Sequence, residues 1–466
     1  MAAQAELSAY FKKQQAAGAV VTTEPPKFDL DAYVSNYVGR TRFDRLFTIG
    51  TSSSFLSVDA LKAAVAEAKR GKDVERYLAA VETLRQITPN DPEVNPDTTW
   101  VEKTSKQVKA ETDRLEFELK GYKNNLIKES IRMGNEDLGA HYHAIGELGQ
   151  AFRALSRMRD HCTSPKHILE MYLKLIIVAV EQGNWIAVQS NAMKIGNLQL
   201  KPDDEAEVQP KLHASMGLAQ LASRNYRDAA FNFLRTEPAL GSSFSRVISP
   251  NDVAVYGGIC ALASMDRNEL QTEVLENSAF RTFLELEPQI RRAITFFCNS
   301  KYSHCLEILE AYKTDYLLDI NLQRHIPDLY SAVRSKSIVQ YFIPFSCVTL
   351  DSMAQAFATK EGSIEDELVS MIEQGTLEAR IDTQNKLLTS KQTDTRAAVH
   401  RETLAIAKTY EQNARIHLMK MITINAGLEI LAPKNNQGMY GGAGGGILNN
   451  GPGMSRGGLR PSAGNV

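Results

Sequence analysis

Along most of the chain apolar residues recur every three or four positions, the spacing of helices that bury one face. The pattern is established in "FDLDAYVSNYVGRTRFDRLFTIG" (28–50) and continues through "SVDALKAAVAEAKR" and "DVERYLAAVETLRQI". Three prolines in "TPNDPEVNPDTT" (88–99) mark a loop. After it, "WVEKTSKQVKAETDRLEFELKGYKNNLIKESIRM" reads as one long helix, rich in helix formers and in opposite charges four residues apart. Residues 1–27 are polar, end in "TTEPPK" and are expected to be loose.

From 131 to 336 the helices come in pairs. A weak internal repeat shows in "GNEDLGAHYH" at 134, "GNWIAVQS" at 183, "RNYRDAAFNF" at 224 and "SKYSHCLEIL" at 300. In three of these an aromatic residue (Trp185, Tyr226, Tyr302) opens the second helix of a pair, three positions before Val188, Ala229 or Cys305. Trp185 and Tyr226 are 41 residues apart, and Tyr226 and Tyr302 are 76 apart, about two periods of 38. Such periods indicate a tetratricopeptide-like solenoid, in which each pair covers the apolar face of the next.

The pattern then changes. "SCVTLDSMAQAFATKEG" reads as a short strand and a helix through Leu350, Met353, Ala354 and Phe357. Ser363 and Asp366 form an S-x-x-D cap, so the next helix starts at Ile364, with Leu368, Met371 and Ile372 on its apolar face and Gly375 at its end. "LEARID" alternates as a strand, "TQNK" turns the chain, and "LLTS" returns as a second strand. Strand, helix, helix, hairpin is the order of a winged helix. The outer strand of this hairpin, Leu387, Leu388 and Thr389 within "LLTS", is expected to offer an open edge to a partner strand. A long helix follows. Ala407, Tyr410, Ala414, His417, Met421, Ile424 and Leu428 are spaced 3, 4, 3, 4, 3, 4, a heptad seam that needs another surface to cover it.

The expected fold is therefore mostly α: a right-handed, tetratricopeptide-like helical-repeat solenoid, then a winged helix, then a long C-terminal helix. Its segments are a loose N-terminus (1–27), an N-terminal helical region (28–130), the repeat array (131–336), the winged helix (337–392), a bundle-forming helix (393–432) and a disordered Gly-rich tail (433–466).

Charge alters the meaning of the winged helix. Residues 361–382 contain seven acidic residues and one arginine, and the helix from Ile364 carries Glu365, Asp366, Glu367 and Glu373 with no Lys or Arg. Facing phosphates it would be repelled, so a protein-contact wing is expected and direct DNA binding is not. The whole chain agrees, with 53 basic against 55 acidic residues. No apolar run is long enough to span a membrane. Five scattered cysteines (Cys162, Cys260, Cys298, Cys305, Cys347) without a CxxC point to reduced thiols in the cytoplasm or nucleus.

Candidate chemistry is sparse. His141 and His143 form H-x-H, half of an isopeptidase zinc motif, but Ala151 and Ala154 stand where the serine and the aspartate of that motif belong. Two residues apart on a helix, the imidazoles also diverge. His161, Cys162 and His167 have no second ligand cluster at finger spacing; there Thr163 or Ser164 caps a helix with Pro165 in its first turn. "GK" at 71–72 lacks the rest of a phosphate loop, and the glycines at 441–446 follow no strand. No catalytic, cofactor or metal residues are expected.

A repeat array running into a winged helix and a terminal helix resembles the PCI-domain family, whose members are subunits of the proteasome lid, the COP-nine signalosome and translation initiation factor three. The blocks "YKNNLIKESIRMGNEDLGAHYHAIGELGQAFRALSRMRDHCTSPKHILEMYLKLIIVAVEQGNWIAV" and "MAQAFATKEGSIEDELVSMIEQGTLEARIDTQNKLL" are similar to the subunit-one branch of the signalosome, over roughly 28–432. The resemblance implies a non-catalytic scaffold subunit of the complex that removes a ubiquitin-like modifier from cullin–RING ligases, found in nucleus and cytoplasm. Its partners would be other PCI-domain and isopeptidase-type subunits, with cullin ligases contacted indirectly. A paralogous proteasome-lid subunit or a free-standing repeat adaptor are the alternatives. What the resemblance carries onto this chain as partner-facing positions is the heptad seam and the "LLTS" edge.

Overall fold

The computed structural model describes residues 2–89, 94–357, 364–391 and 395–428. The chain divides into two compact units, Met1–Lys391 and Gln392–Val466.

The first unit begins with a helix, Ala2–Ala16, where a loose terminus was expected. Phe11 is buried, and Leu7 and Tyr10 pack on a cluster formed by Leu61, Leu84, Ile87 and Val94. These three apolar positions share one helix face, which the polar average of 1–27 concealed. The strand-like link after it is also held: Thr22 N–H donates to Ser52 O at 2.8 Å, and Ser54 N–H to Thr22 O at 3.0 Å. Helices Leu30–Ser35, Arg40–Ser52, Ser57–Arg70 and Val74–Ile87 follow, the first and last capped by Asp29 and Asp73.

The single helix expected from Trp100 to Met133 is two. Thr98–Asn125 ends where Leu126 adopts a left-handed conformation (φ 54°), and Lys128–Ile145 turns back along it. The turn lets Leu115 and Leu119 close on Ile131, Leu138 and Ala154. Burying these side chains outweighs the local propensity to continue.

Helix pairs then stack. Trp185, Tyr226 and Tyr302 each occupy the first position of a helix (Trp185–Gly196, Tyr226–Leu234, Tyr302–Leu317), and Val188, Ala229 and Cys305 three residues on are fully buried. At the centre lies Pro250–Ser264, capped by a reciprocal Ser249/Asp252 box and buried at every position from Asp252 to Leu262. Gly258 lets this helix meet Pro288–Cys298: a Cβ there would lie 2.3 Å from Ile290 Cγ2. One hydrophobic core runs from Ala151 through these helices to Leu388. Rings of Tyr302, Tyr341 and Phe357 seal the passage into the last part of the unit, a winged helix.

The second unit contains one described helix, Thr395–Asn425. Its 31 residues make it roughly 47 Å long at the usual rise. It stops before the expected 432. Gly427 is left-handed (φ 67°), its N–H donates to Ile424 O at 3.1 Å, and Leu428 N–H reaches Thr423 O at 3.0 Å. This paired closure ends a helix, and glycine adopts the required conformation without a Cβ penalty. The Gly-rich tail expected at 433–466 lies outside the described residues.

Candidate partner-binding surfaces

The wing consists of β1 (Cys347–Thr349), helices Leu350–Phe357 and Ile364–Glu373, β2 (Ala379–Asp382) and β3 (Leu387–Ser390). Ser363, the expected cap of the second helix, lies outside the described residues. The sheet order is β1-β3-β2, all antiparallel. This overturns the open edge expected at Leu387, Leu388 and Thr389. Val348 pairs with Leu388 on one side and Ile381 pairs with it on the other, so "LLTS" is the central strand and Leu388 is fully buried. The hairpin alone would have left β3 outside, but the strand before the two helices returns to cover it. Among the described residues, the outer edge of β2 pairs with no further strand.

The acidic helix is partly explained by its tether. Ile364, Leu368 and Met371 face the core. Glu367 accepts a forked hydrogen bond from Arg334 Nε, at 2.8 and 3.0 Å, which ties the wing to helix Ile326–Phe342. Glu365, Asp366 and Glu367 all stand in the first turn, where the helix dipole favours negative charge.

On the terminal helix the seam is open. Tyr410 is 76% exposed, Met421 68%, Ile424 57% and Leu428 74%, and Leu428 sits just past the helix end. Ala414 is half-buried and His417 exposed. Ile416, Leu418, Met419 and Ile422 are exposed as well, spread over the remaining faces of the helix. So many exposed apolar side chains make this helix a candidate interaction surface.

The histidines serve packing. His141 lies 2.9 Å from the Thr112 hydroxyl, and burial pushes its pKa down. His143 lies 2.9 Å from Glu181, which Arg40 also approaches at 3.0 Å. The two rings therefore address different helices. Ser164 caps Pro165–Glu181 by accepting from His167 N–H at 3.3 Å.

Sequence reasoning missed a buried ionic hub. Arg45 is 1% exposed and donates to Asp252 at 2.8 Å and to Asp319 at 2.6 Å. Its guanidinium lies 4.0 Å from the centre of the Tyr37 ring. Tyr37 O–H donates to Asp252, and Tyr256 O–H to Asp319, each at 2.7 Å. Burial raises the Asp252 pKa and Arg45 opposes that rise. The cluster locks the N-terminal helices onto Pro250–Ser264. A signal was present: Arg45 stands four residues before Ile49, on the stripe that turns inward, and Tyr33 and Tyr37 share a helical spacing.

Two family matches cover complementary parts of the chain: 26S proteasome subunit RPN7 over residues 97–273 and PCI domain over 309–392. The chain is 57% identical over 426 residues to COP9 signalosome complex subunit 1 of Emericella nidulans, covering 89% of this chain and 86% of the relative. To the protein of the same name in Neurospora crassa it is 45% identical over 402 residues, 86% of this chain and 91% of the relative. To that of Arabidopsis thaliana it is 38% identical over 405 residues, 86% and 90% of the two chains.

Proposed function

The chain belongs to the family of COP9 signalosome complex subunit 1, and from that premise we propose that it is a non-catalytic scaffold in a complex that removes a ubiquitin-like modifier from cullin–RING ligases. The observation that carries this reading is the exposed seam of the terminal helix. Left in water, so much apolar side chain favours association, at about 25 cal/mol per Å² covered. Tyr410, Met421, Ile424 and Leu428 are the anchors of a helical bundle with other subunits, with Ala414 and His417 between them. The free edge of β2 is the wing's contact for a neighbouring PCI domain, and cullin ligases are reached through those neighbours. The complex works in nucleus and cytoplasm, and this subunit needs no cofactor.

Replacing Met421 and Ile424 together with Asp tests the reading. The expected result is loss of co-purification with PCI-domain partners while the chain keeps its helical circular dichroism. Retention of the partners by the double variant would remove the seam from the assembly. The purified chain alone is expected to show no isopeptidase activity and no stoichiometric zinc; about one zinc per chain by elemental analysis would contradict the scaffold role.

A further inference from the structure

A cleft of about 450 Å³ opens where three turns of the repeat array meet, and its chemistry differs from the rest of the surface. Trp185 contributes the start of one helix, Arg224 the left-handed turn after Pro202–Ala222 (φ 61°), and Asn321, Gln323, Arg324 and His325 the approach to Ile326–Phe342. None of the residues lining it is acidic. Two carboxylates border it: Asp328 pairs with Arg224 at 3.2 Å and accepts from Tyr226 O–H at 3.5 Å, while Asp319 accepts from Asn321 N–H at 2.9 Å and is already paired with Arg45.

We propose that this cleft binds a phosphorylated serine or threonine side chain of a partner polypeptide. The charge arrangement selects a dianion. Asp328 balances Arg224, whereas Arg324, which is exposed, has no carboxylate among its neighbours in the cleft. His325 is 8% exposed, with Nδ1 3.3 Å from the Tyr226 hydroxyl. With that hydroxyl directed at Asp328 it can accept from Nδ1–H, the tautomer in which Nε2 is the atom that takes up a proton. Burial holds the His325 pKa down, Arg224 and Arg324 lower it further, and Asp328 alone opposes them.

An arriving phosphate reverses that balance. A phosphomonoester carries a charge of about −1.5 to −2 at neutral pH. Arg324 matches one charge, and His325, protonated at Nε2 beside the anion, matches the second. A carboxylate carries only one charge, which Arg324 satisfies without help from the imidazole. Trp185 supplies an apolar wall, and the side-chain carbonyls of Asn321 and Gln323, whose NH2 groups donate to Tyr256 and Ser52, can accept from a peptide backbone; the volume of about 450 Å³ leaves room for residues flanking the phosphate.

The test follows the imidazole of His325 by NMR in the full-length chain, assigned through loss of its signal in His325→Gln. The probes are a blocked phosphoserine tripeptide, its glutamate counterpart and inorganic phosphate, compared at constant ionic strength. The phosphopeptide is expected to raise the His325 midpoint by about one pH unit, and Arg324→Gln to weaken binding about tenfold. The glutamate peptide is expected to leave the midpoint in place. An unmoved midpoint with the phosphopeptide would overturn the site, and an equal response to glutamate would overturn its choice of a dianion. If inorganic phosphate binds as tightly as the phosphopeptide, the polypeptide is not the ligand.

Discussion

Arg45 and Met421 stand at opposite extremes of the same molecule. A permanently charged arginine is 1% exposed, while an apolar methionine is 68% exposed. Around Arg45 the chain has collected two carboxylates and three tyrosines from segments more than 270 residues apart, and every charge finds a partner within the fold. Around Met421, among the described residues, no such cluster is gathered. The first region is complete in one chain; the second leaves its apolar side chains in water. An apolar residue left outside therefore says more about function here than a charged residue brought inside, because the latter is explained by its own neighbours.

The largest effect that separates the two regions should come from removing the buried charge. Arg45→Met leaves Asp252 and Asp319 facing each other in the interior without a counter-ion. Breaking a buried pair in this way costs about 3–5 kcal/mol, to be read from the urea midpoint of the isolated chain. Adding Asp252→Asn and Asp319→Asn to Arg45→Met should recover part of the loss. If the single variant unfolds at the same midpoint as the parent, the hub does not hold the N-terminal helices in place.

A smaller loss is expected at Gly258. A methyl group there meets the branched part of Ile290 rather than a flexible tip, so the helices must separate. Overpacking of this kind costs about 1–3 kcal/mol, against a helix-propensity gain of about 1 kcal/mol. Gly258→Ala should therefore lower stability by up to about 2 kcal/mol on the same scale.

The sequence carried the periodic parts of this structure and lost the ones that depend on distant partners. Trp185, Tyr226 and Tyr302 fall at helix starts because a local turn sets their place. The helix from Ile364 was legible for the same reason, as was the exposed seam, whose residues form a pattern without needing anything else in the chain. The position of Leu388 was not, since the strand that flanks it on its second side lies about 40 residues earlier and nothing in "LLTS" records it. Helix Ala2–Ala16 was hidden because Leu7, Tyr10 and Phe11 face inward among polar neighbours. Leu126 interrupts a stretch of good helix formers for the sake of contacts made elsewhere. Local spacing places Arg45 on an inward stripe, but its partners Asp252 and Asp319 are brought together only by the tertiary fold, so the hub itself was not legible.

Acid should act on the first region before the second. His141, His213 and His325 all have pKa values lowered from 6.5, in each case chiefly by burial. As pH falls below 6.5 the unfolded chain takes up protons that the native histidines still refuse. The unfolded state then holds more protons, so stability falls with falling pH and is complete above about 6.5. Urea midpoints between pH 5.5 and 7 should rise with pH. A flat profile across that window would mean that these rings are open to water.

The smallest effect on the isolated chain is expected where the effect on assembly is greatest. Met421→Asp and Ile424→Asp remove apolar side chains that touch little of their own protein, so no buried contact is lost. What remains is local: aspartate is a poorer helix former, and Ile424 stands in the last turn, where negative charge opposes the helix dipole. Together these amount to about 1 kcal/mol or less, spent on fraying the end of Thr395–Asn425 and leaving the urea midpoint of the isolated chain unchanged. A drop in that midpoint comparable with Arg45→Met would show that the seam supports the chain's own fold, and the contrast between the two regions would disappear. An unchanged midpoint together with lost partners would locate the whole contribution of these residues in contacts that the chain cannot make alone.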